Sequence, residues 1–168
     1  MLTYDEFEKF SLSNYALEEK IVSIIDYHGR QIQIESVSQF LSYQNCTIKI
    51  QSMEKYNSEI HNYCRHLVDI RKHNGPVTCH AFRAYPNSAS FNLHTDPDDV
   101  FLYVTQGVKT IQLEDRYIVL GVGESLLIPA NTPHRALNED ASLMLSFGLE
   151  KFMCDKAYYE LDVLPQNN

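Results

Sequence analysis

Residues 91–109 read FNLHTDPDDVFLYVTQGVK. The second half, VFLYVTQ, is a strand-length run of aromatic and β-branched residues, closed by Gly107 and followed by Lys109. The first half places His94, Asp96, Asp98 and Asp99 around Pro97, the composition of a turn. His94 and Asp96 stand two apart where the strand begins, so an extended backbone sends both side chains to one face. An imidazole and a carboxylate on one face can share a metal ion, provided further donors arrive from elsewhere in the chain. The bland alternative is a surface turn leading into an ordinary strand.

The surrounding sequence has the same texture. From Val77 onward VTCHAFRAY, VKTIQL, RYIVLGV, SLLIP and SLMLSFG are short runs rich in β-formers. The turn-forming groups PNSAS, PDD, QG, EDR, GVGE and NED separate them. Regular short strands with tight turns predict an antiparallel sandwich or a small barrel. Residues 1–75 read as mixed, with helix dominant. YDEFEKF and YALEEKIVSIID are amphipathic helix candidates, RQIQIES and CTIKIQS alternate like strands, and SVSQFLS suits a helical turn. The best helix runs from about Met53 to Lys72, with Tyr56, Ile60, Tyr63, Leu67 and Ile70 at helical spacing, and Asn74-Gly75-Pro76 stops it.

The 168 residues are expected to form one domain: an N-terminal region over 1–75, a barrel core over 77–148 and a tail over 149–168. Hydrophobic residues make up 44% and charged residues 21%, ordinary globular usage. A net charge of −8 argues against nucleic acid or an anionic membrane as partner, since both select basic surfaces. The acidic start MLTYDEFEKF has no apolar signal core, so a cytoplasmic location is the expectation. Cys46, Cys64, Cys79 and Cys154 show no Cys-x-x-Cys spacing and read as reduced thiols. His61, Cys64 and His66, with His73, Cys79 and His80 near the helix end, form no recognised zinc set.

The partner for His94 and Asp96 lies downstream, in GESLLIPANTPHRALN, residues 123–138. Gly123, Pro129, Asn131, His134 and Asn138 fall at the spacing of the second motif of the cupin superfamily, which this stretch resembles. Asn131 stands where that motif usually has glycine, a mild departure because Asn tolerates left-handed backbone. Ser88, His94, Asp96, Val100 and Gly107 occupy the positions of the first cupin motif, whose second histidine is here Asp96 and whose glutamate is here Val100. That altered set resembles the three-ligand subset, the Fe(II)- and 2-oxoglutarate-dependent oxygenases. Within it, HTD, VFLYVTQ, GVK and IPANTPH are similar to the Jumonji-C-like proteins, including the ribosomal-oxygenase (cupin-4) branch and the asparaginyl hydroxylases. The likeness covers residues 77–148 and is loose before them.

The resemblance implies a mainly β fold, a double-stranded β-helix (the cupin or jelly-roll barrel) with an N-terminal α-helical extension. It implies Fe(II) held by His94, Asp96 and His134, with O2 and 2-oxoglutarate as co-substrates and Lys109 pairing the distal carboxylate of 2-oxoglutarate. Asp98 has the parity of Asp96, but Pro97 interrupts the strand before it, so Asp96 is preferred as ligand. An inward Lys109 needs a regular anionic partner, whereas on a hairpin it would simply face solvent. His80 and Ser146 fall where relatives place polar groups near the co-substrate, and Phe82 lacks the hydroxyl found there in relatives. Tyr103 is a candidate pocket residue, with a core role equally open.

The implied reaction is hydroxylation, or demethylation, of a protein, peptide or amino-acid side chain. The chain ends twenty residues beyond residue 148, which leaves no room for the dimerisation helices and winged-helix module of ribosomal oxygenases. Ile111 also replaces an aromatic often carried by those enzymes. A compact peptide or amino-acid hydroxylase is thus an equal expectation, and a homodimer stays open as the oligomeric state. The rivals are a metal-binding cupin without 2-oxoglutarate: another dioxygenase, an isomerase, or a non-enzymatic small-molecule-binding module.

Overall fold

The computed structural model describes residues 1–43 and 45–151. Two antiparallel sheets face each other. The larger has the order β2-β1-β3-β4-β10-β5-β8 and the smaller the order β7-β6-β9. The strands are β1 (Val22–Ile25), β2 (Gln31–Gln33), β3 (Thr47–Ile50), β4 (Val77–Ala84), β5 (Asp99–Gly107), β6 (Lys109–Leu113), β7 (Arg116–Leu120), β8 (Ser125–Ile128), β9 (His134–Leu137) and β10 (Ser142–Leu149). The fold class expected from the sequence, mainly β with helices at the N-terminus, is the one found.

Alternation along the strands divides the molecule into two cores. Val100, Leu102 and Val104 of β5 and Met144 of β10 pack against Ile111 and Leu113 of β6 and Leu120 at the end of β7, filling the space between the sheets. The opposite face of the large sheet carries Cys79, Ala81, Leu143, Leu145 and Phe147, and the N-terminal helices cover it. Of these, α1 (Tyr4–Ser11) starts at a capping box between Thr3 and Glu6. The longest, α4 (Ser58–Arg71), is capped by Asn57 and buries Ile60, Cys64 and Leu67.

Three N-terminal expectations are corrected. YALEEKIVSIID is not one helix: α2 (Asn14–Glu18) ends at Glu19, Lys20 takes a left-handed φ of 54°, and IVSII continues as β1. Ile21, Val22, Ile24 and Ile25 are all buried, and such a β-branched run fits a strand covered on both faces better than a one-sided helix. With β2 and β3 it widens the large sheet, so the N-terminal region is part sheet extension and part helical cover. The helix expected from Met53 is a 3-10 turn (Met53–Lys55) followed by α4 (Ser58–Arg71), whereas the helical turn expected at SVSQFLS is present as α3 (Val37–Ser42). Ile70, expected on the apolar stripe, is 56% exposed.

The three described cysteines, Cys46, Cys64 and Cys79, form no disulfide among the described residues; Cys154 and most of the expected 149–168 tail lie outside the described residues. Among the described residues no helix is long and apolar enough to cross a membrane.

Candidate metal centre

The loop between β4 and β5 runs back along the edge of the small sheet. His94 donates its N–H to the carbonyl of His134 at 3.1 Å, and His134 returns the bond at 2.8 Å. This isolated antiparallel bridge puts the two residues directly opposite one another, so their side chains leave the same face. The ring centroids are 4.5 Å apart. Asp96, two residues on from His94, shares that face. Its Oδ2 lies 3.3 Å from Nε2 of His134 and 4.0 Å from Nε2 of His94.

Each imidazole is oriented from behind. Nδ1 of His94 meets the carbonyl of Asn92 at 2.7 Å, and Nδ1 of His134 meets the carbonyl of Thr132 at 2.9 Å. A carbonyl oxygen only accepts, so each Nδ1 carries the proton and, in the neutral ring, each Nε2 presents a lone pair. Metal-binding histidines are commonly held in this way. Donor atoms of His94, Asp96 and His134 all lie within 4.8 Å of one another, and no other His, Cys, Asp or Glu joins them among the described residues. Two imidazoles and one carboxylate are the donor set of a non-haem Fe(II) site with open positions, and these residues fit it. His134 is 7% exposed, while His94 and Asp96 are open on one side, so the centre is reachable from solvent.

The hydrogen bond from His134 holds the Asp96 carboxyl below its usual pKa, against the opposing pull of burial. Burial draws His134 down, but the Asp96 carboxylate and the Thr132 carbonyl together leave it above its ordinary value. Asp96 is also pinned through its backbone, since its carbonyl accepts the N–H of Asn131 at 2.7 Å. Asn131 achieves this with φ 62°, the left-handed conformation for which cupin motifs use glycine. Asn131→Val should therefore cost about 1–2 kcal/mol in urea unfolding, whereas Asn131→Gly should cost far less. Equal costs would show that backbone strain plays no part there.

Asp98, the other carboxylate weighed as a ligand, accepts the N–H of Lys151 at 3.0 Å and stays outside the cluster. Asp99 accepts the N–H of Ala130 at 2.8 Å. Both are engaged in closing the loop rather than at the centre.

Lys109 opens β6 after Gly107, where φ is 74° and a Cβ would run into the Ala141 carbonyl oxygen. With Ile111 and Leu113 it lines one face of β6, and Leu113 pairs with His134. Lys109 thus sits four residues, about 13 Å of strand, from the row of the metal centre. It is 1% exposed, and its ammonium donates to Oδ1 of Asn138. Among the described residues no carboxylate lies within ion-pair distance of it. Burial lowers its pKa to about 7.

His80 and Ser146 face each other across the β4–β10 ladder, on the barrel side of the large sheet shared with Phe82 and Met144. Burial, with help from Lys49, lowers the His80 pKa to about 4, so the ring is neutral at neutral pH. Nδ1 of His80 accepts the N–H of Ser52 at 3.2 Å, which leaves the single proton on Nε2 as a donor. Tyr103 is a correction: it lies on the other face of β5, packed 5.8 Å from the ring of Tyr63 against the helix-covered core. It does not line the barrel.

Two contributors, one of them a motif position, were given no role from the sequence. Asn138 bonds Lys109 through Oδ1, while its Nδ2 donates to Thr47 Oγ1, Ser88 and Ala89, tying β6 to β3 and the β4–β5 loop. Lys49 stands beside Phe82 in the β3–β4 ladder. The alternation of CTIKIQS puts Lys49 on the face away from Ile48 and Ile50, but only the register brings it to the barrel.

Residues 81–147 match the family model of the cupin domain, Cupin_2. The fold is that of a cupin barrel. Structures of the ribosomal oxygenase YcfD from Escherichia coli are similar over nearly the whole chain. One superposes with a TM-score of 0.69 at 14% identity, covering 94% of this chain and 45% of YcfD. Another gives 0.67 at 14% identity, covering 99% and 50%. A third, of YcfD in complex with cobalt and succinic acid, gives 0.68 at 12% identity, covering 94% and 45%. The chain therefore spans about half the length of YcfD, and at this identity the likeness concerns the fold. No curated protein sequence matches the chain. The cupin barrel accounts for the two facing sheets.

Proposed function

We propose that the protein is an Fe(II)- and 2-oxoglutarate-dependent oxygenase that hydroxylates a protein, peptide or amino-acid side chain. The observation that carries this reading is the combination of a two-histidine, one-carboxylate cluster with a buried lysine deeper in the same barrel. Three ligands on one side leave the remaining positions of the metal open. An ammonium with no carboxylate near it is costly in an apolar interior and suits a ligand that brings its own anion. A dicarboxylate that reaches the metal with one end and Lys109 with the other meets both requirements. The complex of YcfD with cobalt and succinic acid supports the pairing, since succinate is what 2-oxoglutarate becomes on oxidative decarboxylation.

Fe(II), when bound, supplies the activation of O2 that converts 2-oxoglutarate to succinate and CO2 and hydroxylates a substrate C–H bond. The chain does the rest. His94, Asp96 and His134 hold the ion, with Asn92 and Thr132 fixing the two rings. Lys109, kept in place by Asn138, receives the distal carboxylate. His80, through Nε2–H, and Ser146, through its hydroxyl, offer donors on the adjoining wall. Ile111, Leu102 and Met144 keep water from the interior.

Anaerobic titration of the Fe(II) protein with 2-oxoglutarate tests this. A weak visible charge-transfer absorption, with succinate release and a +16 product in a screen of peptides and free amino acids, is the expected result. Tight metal binding with no response to 2-oxoglutarate would overturn it in favour of another metal-binding cupin.

A further inference from the structure

Beside the candidate metal cluster stands a cation that the proposed reaction leaves unused. Lys49 of β3 pairs with Phe82 of β4, and Phe82 pairs in turn with Met144 of β10, so the three form one row facing the barrel. The Lys49 ammonium stands 5.8 Å from the centroid of the Phe82 ring and 5.9 Å from that of Phe91. Phe91 in turn lies 5.8 Å from the ring of His94. One aromatic side chain therefore bridges the lysine and a candidate metal ligand.

The position is electrostatically unusual. Lys49 is half-buried, and among the described residues its ammonium donates to a neutral acceptor, Oε1 of Gln31 at 3.1 Å. No carboxylate lies within ion-pair distance of it among the described residues. Asp96 is near enough to favour its charge, while burial works against it. Asp96, however, is the one anionic member of the metal cluster, and a bound metal ion would take up that charge. With the metal bound, Lys49 is thus left as a cation with no carboxylate in ion-pair reach among the described residues, flanked by the Phe82 and Phe91 rings.

We infer that Lys49 is the substrate-recognition residue of this site and that it selects a substrate bearing a carboxylate, with an apolar portion laid against Phe91 and Phe82. The inference rests on the metal centre proposed above and adds the class of its substrate. A lysine is a compact point charge suited to a single carboxylate. A phosphate would call for several converging donors, such as arginines or a helix N-terminus, and the site has neither among the described residues. The same charge repels lysine and arginine side chains, so basic side chains and methylated lysine are disfavoured as substrates. Free amino acids, N-acylated amino acids and peptide C-termini satisfy the charge. Lys109 serves the other carboxylate, that of the co-substrate, from its place on β6. Lys49 and Lys109 thus divide two anions between them.

Paramagnetic relaxation by Mn(II) tests this without turnover. The wild-type protein is loaded with Mn(II), binding is first read by electron paramagnetic resonance, and 2-oxoglutarate is added to saturation. N-acetyl-leucine and its carboxamide are then compared as probes. The acid should bind near the metal about tenfold more tightly than the amide. Lys49→Met, which keeps the apolar stem, should erase that preference without changing the affinity for 2-oxoglutarate, and Lys49→Arg should restore it. Equal relaxation of acid and amide in the wild type would overturn the inference alone. So would a Lys49→Met variant that keeps the preference, or one in which 2-oxoglutarate is the ligand weakened. Failure of the wild type to bind Mn(II) would overturn the metal centre itself, and the substrate class with it.

Discussion

Asp96→Ala should abolish turnover and lower the affinity for Fe(II) or Mn(II) by more than about 100-fold, an effect larger than the loss of a residue that merely supports a ligand. Asp96 is the only anion in the cluster, and its Oδ2 lies 3.3 Å from Nε2 of His134 and 4.0 Å from Nε2 of His94. Without it two neutral imidazoles remain, a weaker and less selective site for a hard divalent ion. The side chain is partly exposed and its backbone anchor to Asn131 survives the substitution, so the fold should persist. Asp98→Ala is the control: that carboxylate faces the N–H of Lys151, and metal affinity should stay within a few-fold of the parent. Calorimetric titration with Mn(II), beside circular dichroism of both variants, checks the pair. A silent Asp96→Ala and a damaging Asp98→Ala would move the centre to the other side of Pro97.

What the sequence disclosed and what it hid divide along a physical line. The strands from Val77 onward were legible because each is bounded by turn residues whose backbone preferences are local. The exception is β9, whose HRAL is short and polar at its start and owes its strand state to pairing with β6 and to the bridge with His94. The run IVSII was masked by the helix-forming ALEEK before it. Its fate as β1 depends on β3 lying alongside and on helices covering it, neither of which is a local property. The three candidate ligands could be read because they stand in motifs of fixed spacing. Tyr103 and Lys49 could not be placed, because a strand shows which residues share a face but not which face is inward. Register decides it: Leu102 pairs with Ser146 on the barrel side, which turns Tyr103 outward, and Phe82 beside Lys49 turns the lysine inward. Asn138 stood in the quoted motif, yet its role emerges only when Lys109, Thr47 and Ser88 converge on it.

Lys109→Met should raise the KM for 2-oxoglutarate by about 100-fold while leaving metal affinity near that of the parent, because it removes one buried charge partner and no ligand. Methionine keeps most of the volume beside Ile111, so the barrel should stay closed. The same residue makes the ligand-free protein sensitive to pH. Burial lowers the ammonium from its ordinary value of 10.5 to about 7 in the folded chain. Between those two values the unfolded chain binds the proton and the folded chain gives it up, so folding stability should rise as pH increases through that window. Below it both states hold the proton, and the contribution levels off at its least favourable value. A bound dicarboxylate favours the charged form, so it should stabilise the parent most near pH 7 and less as the pH climbs. Urea midpoints at pH 7 and pH 9.5, with and without 2-oxoglutarate and Mn(II), separate these effects. In Lys109→Met the part of the slope due to this residue should vanish, and the ligand should lose most of its stabilising effect. A variant with unchanged co-substrate kinetics and an unchanged slope would mean that the ammonium reaches solvent and that some other cation, with Lys49 the first to examine, holds the distal carboxylate.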